Sequence, residues 1–108
     1  MKIQIRRGNV ELTERLRAHV ERRLGFGLGR FGGRIGRVII RFSDTNGPRG
    51  GVDKRCQIDV SVCPSGNVLV GDIDADLVVA VDHAADRASR CIARMLEREH
   101  IDFGQIRR

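Results

Sequence analysis

The chain opens on an alternation. In KIQIRR, Ile3 and Ile5 fall on one side and Lys2, Gln4 and Arg6 on the other, which is the period of a half-buried strand. A Gly8-Asn9 turn signal follows. Thr13 then stands as an N-cap ahead of Leu16, Val20 and Leu24, whose four-residue spacing makes a narrow buried helical stripe. The next segment, GFGLGRFGGRIG, holds six of the thirteen glycines. Each glycine costs a helix about 1 kcal/mol relative to alanine. The helix is therefore expected to weaken or stop near Leu24, with Phe26, Leu28 and Phe31 still able to pack.

Alternation returns in RVIIRF, where Val38, Ile40 and Phe42 oppose Arg37, Ile39 and Arg41. RCQIDVSVC reads as a third strand, with Cys56, Ile58, Val60 and Val62 inward and Arg55, Gln57, Asp59 and Ser61 outward. PSGN is a turn and VLVGDIDA a fourth strand, so the last three strands are expected to form an antiparallel meander. Asp76 then caps a long helix, LVVAVDHAADRASRCIARMLEREH. Its apolar arc holds Val81, Ala84, Ala88, Cys91, Ile92, Met95 and Leu96.

This order predicts an α+β two-layer sandwich, β-α-β-β-β-α, in which a four-stranded sheet carries two helices packed on one face. Residues 1–100 are expected to be one domain and residues 101–108 a loose C-terminal tail. The chain has no apolar run long enough to span a membrane and no apolar signal-peptide core, so a cytoplasmic location is expected.

Charge changes the picture. The net charge is +6, carried by eighteen arginines and only two lysines. A guanidinium pairs bidentately with phosphate and stacks on bases, so a polyanionic partner, nucleic acid first, is expected. Arg87, Arg90, Arg94 and Arg98 fall within roughly 80° of one another on the last helix, away from its core side. Such a stripe can follow a phosphate backbone. It can equally be an ordinary solvated face, and Asp86 is placed to pair with Arg90. Arg15 and Arg22 form a second basic strip on the first helix, with Arg23 near its apolar border. Arg30 and Arg34 lie in the glycine-rich segment. SDTNGPRGGVDKRC, between the second and third strands, displays Arg49, Lys54 and Arg55 on either a plain hairpin connection or a stiff prong aimed at RNA.

Other motifs carry less. GLGRFG matches GxGxxG but follows a helix rather than a strand, so dinucleotide binding is not expected. DIDAD lacks the glycine and distal glutamate of a calcium loop. Cys56, Cys63 and Cys91 form no CxxC pair and fit free thiols in a reducing compartment. Cys63 is the one thiol placed to act as a nucleophile, with no histidine near it in sequence. There is no Trp or Tyr, and the four Phe read as mostly structural, which favours recognition of RNA by backbone and shape. No cofactor, metal or small-molecule substrate is expected.

KIQIRRGNVELTERLRAHVERRL resembles the N-terminus of the ribosome hibernation promoting factors, also called ribosome-associated inhibitor A, and DADLVVAVDHAADRASRCIARML resembles their last helix. The resemblance covers residues 1 to about 99. It implies the same β-α-β-β-β-α fold and binding to the small ribosomal subunit in the channel between head and body, over the messenger and transfer RNA positions, with translation blocked by steric occupancy. It implies RNA contacts for Arg22 and Arg23 and for Arg87, Arg90, Arg94 and Arg98. The chain departs from the family at Val78, where a Tyr is frequent, and in its glycine-rich first-helix end, which is usually charged. Its length resembles a short form, monomeric when free. The alternative is a general structured-RNA-binding module with no preference for ribosomes.

Overall fold

The structure, a computed structural model, describes residues 1–44 and 53–106, with side chains followed as far as Glu99. Its elements are β1 (Lys2–Arg6), α1 (Glu14–Leu28), a 3-10 segment (Gly29–Arg34), β2 (Ile35–Asp44), β3 (Lys54–Val62), β4 (Gly66–Asp74) and α2 (Leu77–Ile106). The expected α+β order is the observed one. The sheet runs β1-β2-β3-β4. β2, β3 and β4 form the antiparallel meander. β1 pairs with β2 in parallel, which requires a crossover, and α1 supplies it.

The inner face of the sheet presents Val38, Ile40, Phe42, Cys56, Ile58, Val60, Val62 and Val68, all buried. Leu16, Val20, Leu24 and Leu28 of α1 and Ala80, Val81, Ala84, Ala85, Ala88 and Ile92 of α2 close over them in one core. A fully buried aliphatic side chain contributes about 1.5–3 kcal/mol, so this cluster dominates the fold. The small alanines on α2 let that helix lie close to β3 and β4, while Cys91, Met95 and Leu96 pack at its margin.

Two boundaries differ from the pattern reading. α1 does not stop near Leu24 but runs on to Leu28, through Gly25 and Gly27. Leu28 is completely buried, and that burial, about 1.5–3 kcal/mol, offsets the propensity cost of the two glycines, about 2 kcal/mol. The helix then tightens into the 3-10 segment, which kinks at Gly32, where φ is +57°. α2 extends to Ile106, past His100, where the pattern ends the helix.

The caps are as expected at both helices. The Thr13 hydroxyl accepts from the Leu16 amide at 3.1 Å, and the Asp76 carboxylate accepts from the Val78 amide at 2.9 Å. Between β1 and α1, Gly8 adopts φ +59°, and a Cβ there would lie 2.4 Å from the Phe42 carbonyl oxygen. Asn9 beside it exchanges two hydrogen bonds with the Asp44 backbone, at 2.8 and 2.9 Å, tying the β1–α1 turn to the end of β2.

Candidate nucleic-acid interface

α2 lies on the sheet so that its arginine stripe borders the edge strand β4. Arg87 reaches that edge directly: it donates to the Gly71 carbonyl at 3.0 Å and lies 3.6 Å from Asp72. Arg90 pairs with Asp86 at 2.9 Å, one helical turn away, as its spacing predicts. Both arginines remain more than half exposed, at 56% and 64%. The Arg90–Asp86 pair is exposed on both sides and contributes about 0–1 kcal/mol, so a phosphate can take that guanidinium from its carboxylate; Asp72 is only 12% exposed, so Arg87 is held more firmly. Arg94 and Arg98 are exposed and have no carboxylate partner among the described residues. An open groove of about 530 Å³ runs between this stripe and β4, lined by Arg87, Arg90, Cys91 and Arg94 on one side and Leu69, Val70 and Gly71 on the other. It meets a second hollow that carries it past Arg87 to Arg55 and Ile73 on the open face of the sheet.

The α1 arginines are divided. Arg22 is exposed and has only the His19 ring at 3.5 Å. Arg23 is not directed outward, as its border position suggests. Its Nε donates to Asp82 at 3.2 Å, and His19 meets the same carboxylate at 2.7 Å. That three-way contact joins α1 to α2, so Arg23 serves packing between the helices as well as charge.

The cations of the loose segments also separate. Arg30 donates to Ser89 on α2 at 3.1 Å and lies 4.7 Å over the Phe31 ring. Arg34 is committed to the fold: it donates to the Cys63 carbonyl at 2.6 Å, to Ser65 at 3.2 Å and to both Glu99 oxygens at 3.0 and 2.8 Å. The Ser65 hydroxyl also donates to Glu99. These two partners, Ser65 first, hold the Glu99 carboxyl below its usual range. Lys54 likewise faces inward to the strand ends. It pairs with Asp44 at 3.0 Å and lies 3.9 Å from Asp53. The Asp44 hydrogen bond is the main cause of a raised Lys54 pKa. Arg55 is exposed on the open sheet face. Arg49 and the centre of the proposed prong lie outside the described residues.

The pattern reading places single cations on the outer side of each strand but does not join them. The parallel β1–β2 register does so: Lys2 sits opposite Arg37 and Arg6 opposite Arg41. With Arg55 these make a second positive face, relieved only by Asp59 on the same side. A hollow of about 430 Å³ lies there between Arg37, Ile39, Asp59, Ser61 and Asn67. Phe26 is also missed. Far from being structural, it is 85% exposed; the fourfold spacing of the α1 stripe already leaves it off the buried face.

Other chemistry is poorly served. Asp72, Asp74 and His83 bring donor atoms within 4.8 Å of one another. Yet Asp74 accepts from the Asp76 amide, and Asp72 is already balanced by Arg87 and hydrogen-bonded to His83. Burial first, and then the Asp72 charge, push the Cys56 thiol up to about 12, far from a thiolate nucleophile. Cys63 is exposed, but the two described histidine side chains, His19 and His83, are engaged with aspartates. GLGRFG closes α1 and enters the 3-10 segment, with a strand after it, so no helix N-terminus faces a dinucleotide there.

Fold and surface together define a small α+β domain with exposed cationic faces. The family model described as Sigma 54 modulation protein / S30EA ribosomal protein matches residues 3–100, and the chain belongs to that family. The resemblance carried by NVELTERLR and the last helix thus leads to the family found. Among solved structures, the chain is similar to the N-terminal domain of Thermus thermophilus Protein Y, with a TM-score of 0.71 and 30% identity over 87% of this chain and 98% of that one. It is also similar in fold to a ribosomal subunit interface protein from Coxiella burnetii, with a TM-score of 0.70 and 19% identity over 87% of this chain and 96% of that one. No curated protein sequence matches the chain.

Proposed function

We propose that this protein is a non-enzymatic ribosome hibernation factor, cytoplasmic and monomeric when free. It binds the small ribosomal subunit in the messenger and transfer RNA channel and blocks translation by occupying that space. Family membership supports the ribosome as partner, and the family resemblance supplies the channel. The observation that carries the mechanism is the pair Arg94 and Arg98, exposed one turn apart on α2 and free of carboxylate partners among the described residues, with Arg94 lining the α2–β4 groove. Charge-assisted pairs with phosphate are the strong contacts such side chains make. Arg22 adds a further cation on α1, Arg90 joins by exchanging its exposed pair with Asp86 for a phosphate, and Arg87 joins with its guanidinium half exposed beside Asp72. The second positive face, on the sheet, suits a binding site with RNA on more than one side.

Co-sedimentation with purified small subunits across a salt series tests this reading. Association falls steeply as salt rises, because each phosphate contact releases counterions and steepens the dependence. Binding that ignores salt overturns the arginine grip. Adding excess unrelated structured RNA to the same assay separates a ribosome-specific factor, which stays on the subunit, from a general RNA binder, which is stripped off.

A further inference from the structure

Phe26 is the side chain that the fold does not use. It is 85% exposed in the last turns of α1. By contrast Phe42 is buried in the core, and Phe31 packs at its margin under Arg30. On a helix surface the neighbours of a residue lie three and four positions away, about 5–6 Å off between Cβ atoms. For Phe26 these are Arg22, Arg23, Gly29 and Arg30, three cations and a glycine, with no carboxylate among them. Gly25 and Gly27 flank it along the chain. A Cβ added at Gly25 or Gly29 would meet nothing within 4 Å, and one at Gly27 only the Arg23 guanidinium at 3.9 Å, so these glycines are not required by internal packing. Gly29, three positions on, adds no side chain beside the ring.

We infer that Phe26 is a stacking platform for one unstacked RNA base, with Arg22 taking the adjacent phosphate. The ligand class follows from the surroundings. A protein partner is met by a contiguous apolar patch, and among the described residues the other large exposed apolar side chains are Met1, Leu69, Ile73 and Val78, none of them on α1. A lone aromatic ring among arginines matches instead the way single-stranded nucleic acid is held, base on ring and phosphate on cation. Arg30 is turned to Ser89 and the Phe31 ring and Arg23 to Asp82, so Arg22, exposed and met only by the His19 ring at 3.5 Å among the described residues, is the cation left for the phosphate. This deepens the ribosomal reading and rests on it for the identity of the RNA.

The chain has no Trp and no Tyr, so Phe26→Trp introduces a single indole that reports its own surroundings. Its emission is expected to be quenched by small subunits and by a short single-stranded RNA, and not by an abasic oligomer of equal charge. Phe26→Leu keeps an apolar side chain but removes the ring, and weakens subunit binding by between about five- and a hundredfold. Phe26→Trp binds as the natural protein does. An indole that co-sediments with the subunit unquenched, or a Leu variant of unchanged affinity, overturns the stacking site and leaves the ribosomal reading standing. If the natural protein does not bind subunits at all, the ribosomal reading fails. The RNA and abasic arms then decide the stacking site alone: quenching by both or by neither overturns it.

Discussion

Arg34 and Arg94 carry the same side chain to opposite ends. Arg34 sits at the corner where the 3-10 segment meets the β3–β4 turn and α2, and its Nε and one terminal nitrogen donate to Cys63, Ser65 and Glu99. Arg94 sits on the outer stripe of α2 beside an open groove, with no such partners among the described residues. The first arginine is part of the fold and the second part of the surface offered to others. Net charge counts them equally, so the charge that can grip a polyanion is smaller than the composition suggests and lies on α2, on the exposed Arg15, Arg17 and Arg22 of α1 and on the open sheet face.

The largest effect should come from reversing the free pair. Arg94→Glu with Arg98→Glu is expected to lower small-subunit affinity by roughly a hundredfold or more, since two phosphate contacts become repulsions. The circular dichroism spectrum and melting temperature should not change. A variant that still co-sediments removes the stripe from the interface. The opposite pattern is expected at the corner. Arg34→Ala should lower the melting temperature and leave subunit affinity unaltered, and a loss of binding with intact stability would erase the distinction between the two regions.

A finer probe is acid. Glu99 titrates below the usual carboxylate range because Ser65 and Arg34 favour its charged form. A depressed folded pKa stabilises the protein above the unfolded value, near the ordinary 4.5, and that stability is lost as pH falls through the lowered one. Glu99→Gln should therefore be less stable than the natural protein at neutral pH, with the gap closing in acid below that ordinary value. A gap independent of pH would mean that the corner is not held by charge. A local control is Gly8→Ala, expected to cost about 1–3 kcal/mol through the positive φ and the Phe42 carbonyl, without touching either set of arginines. Equilibrium denaturation measures it.

Much of this was legible in the pattern of residues. The Leu16, Val20 and Leu24 stripe, the strand alternations, both caps and the Asp86–Arg90 pair are local regularities, and each appears where its spacing predicts. What was hidden depends on distant partners. The reach of α1 to Leu28 is set by a core that its glycines do not reveal. Arg34 meets Glu99 across 65 positions of sequence, and Arg23 meets Asp82 across 59, so no window could separate them from the free arginines. The positive sheet face needed the parallel β1–β2 pairing, which alternation alone does not specify. Phe26 is the reverse case, since its place off the buried stripe was readable, but an aromatic ring in a glycine-rich segment reads first as core.

Displacement of transfer RNA tests the central claim most directly. Labelled transfer RNA and a short messenger are bound to purified small subunits, and the protein is added in increasing amounts while retained label is counted. One equivalent of the natural protein should release the label, and the Arg94→Glu, Arg98→Glu variant should leave it in place. A subunit that holds protein and transfer RNA together at saturation would contradict the account.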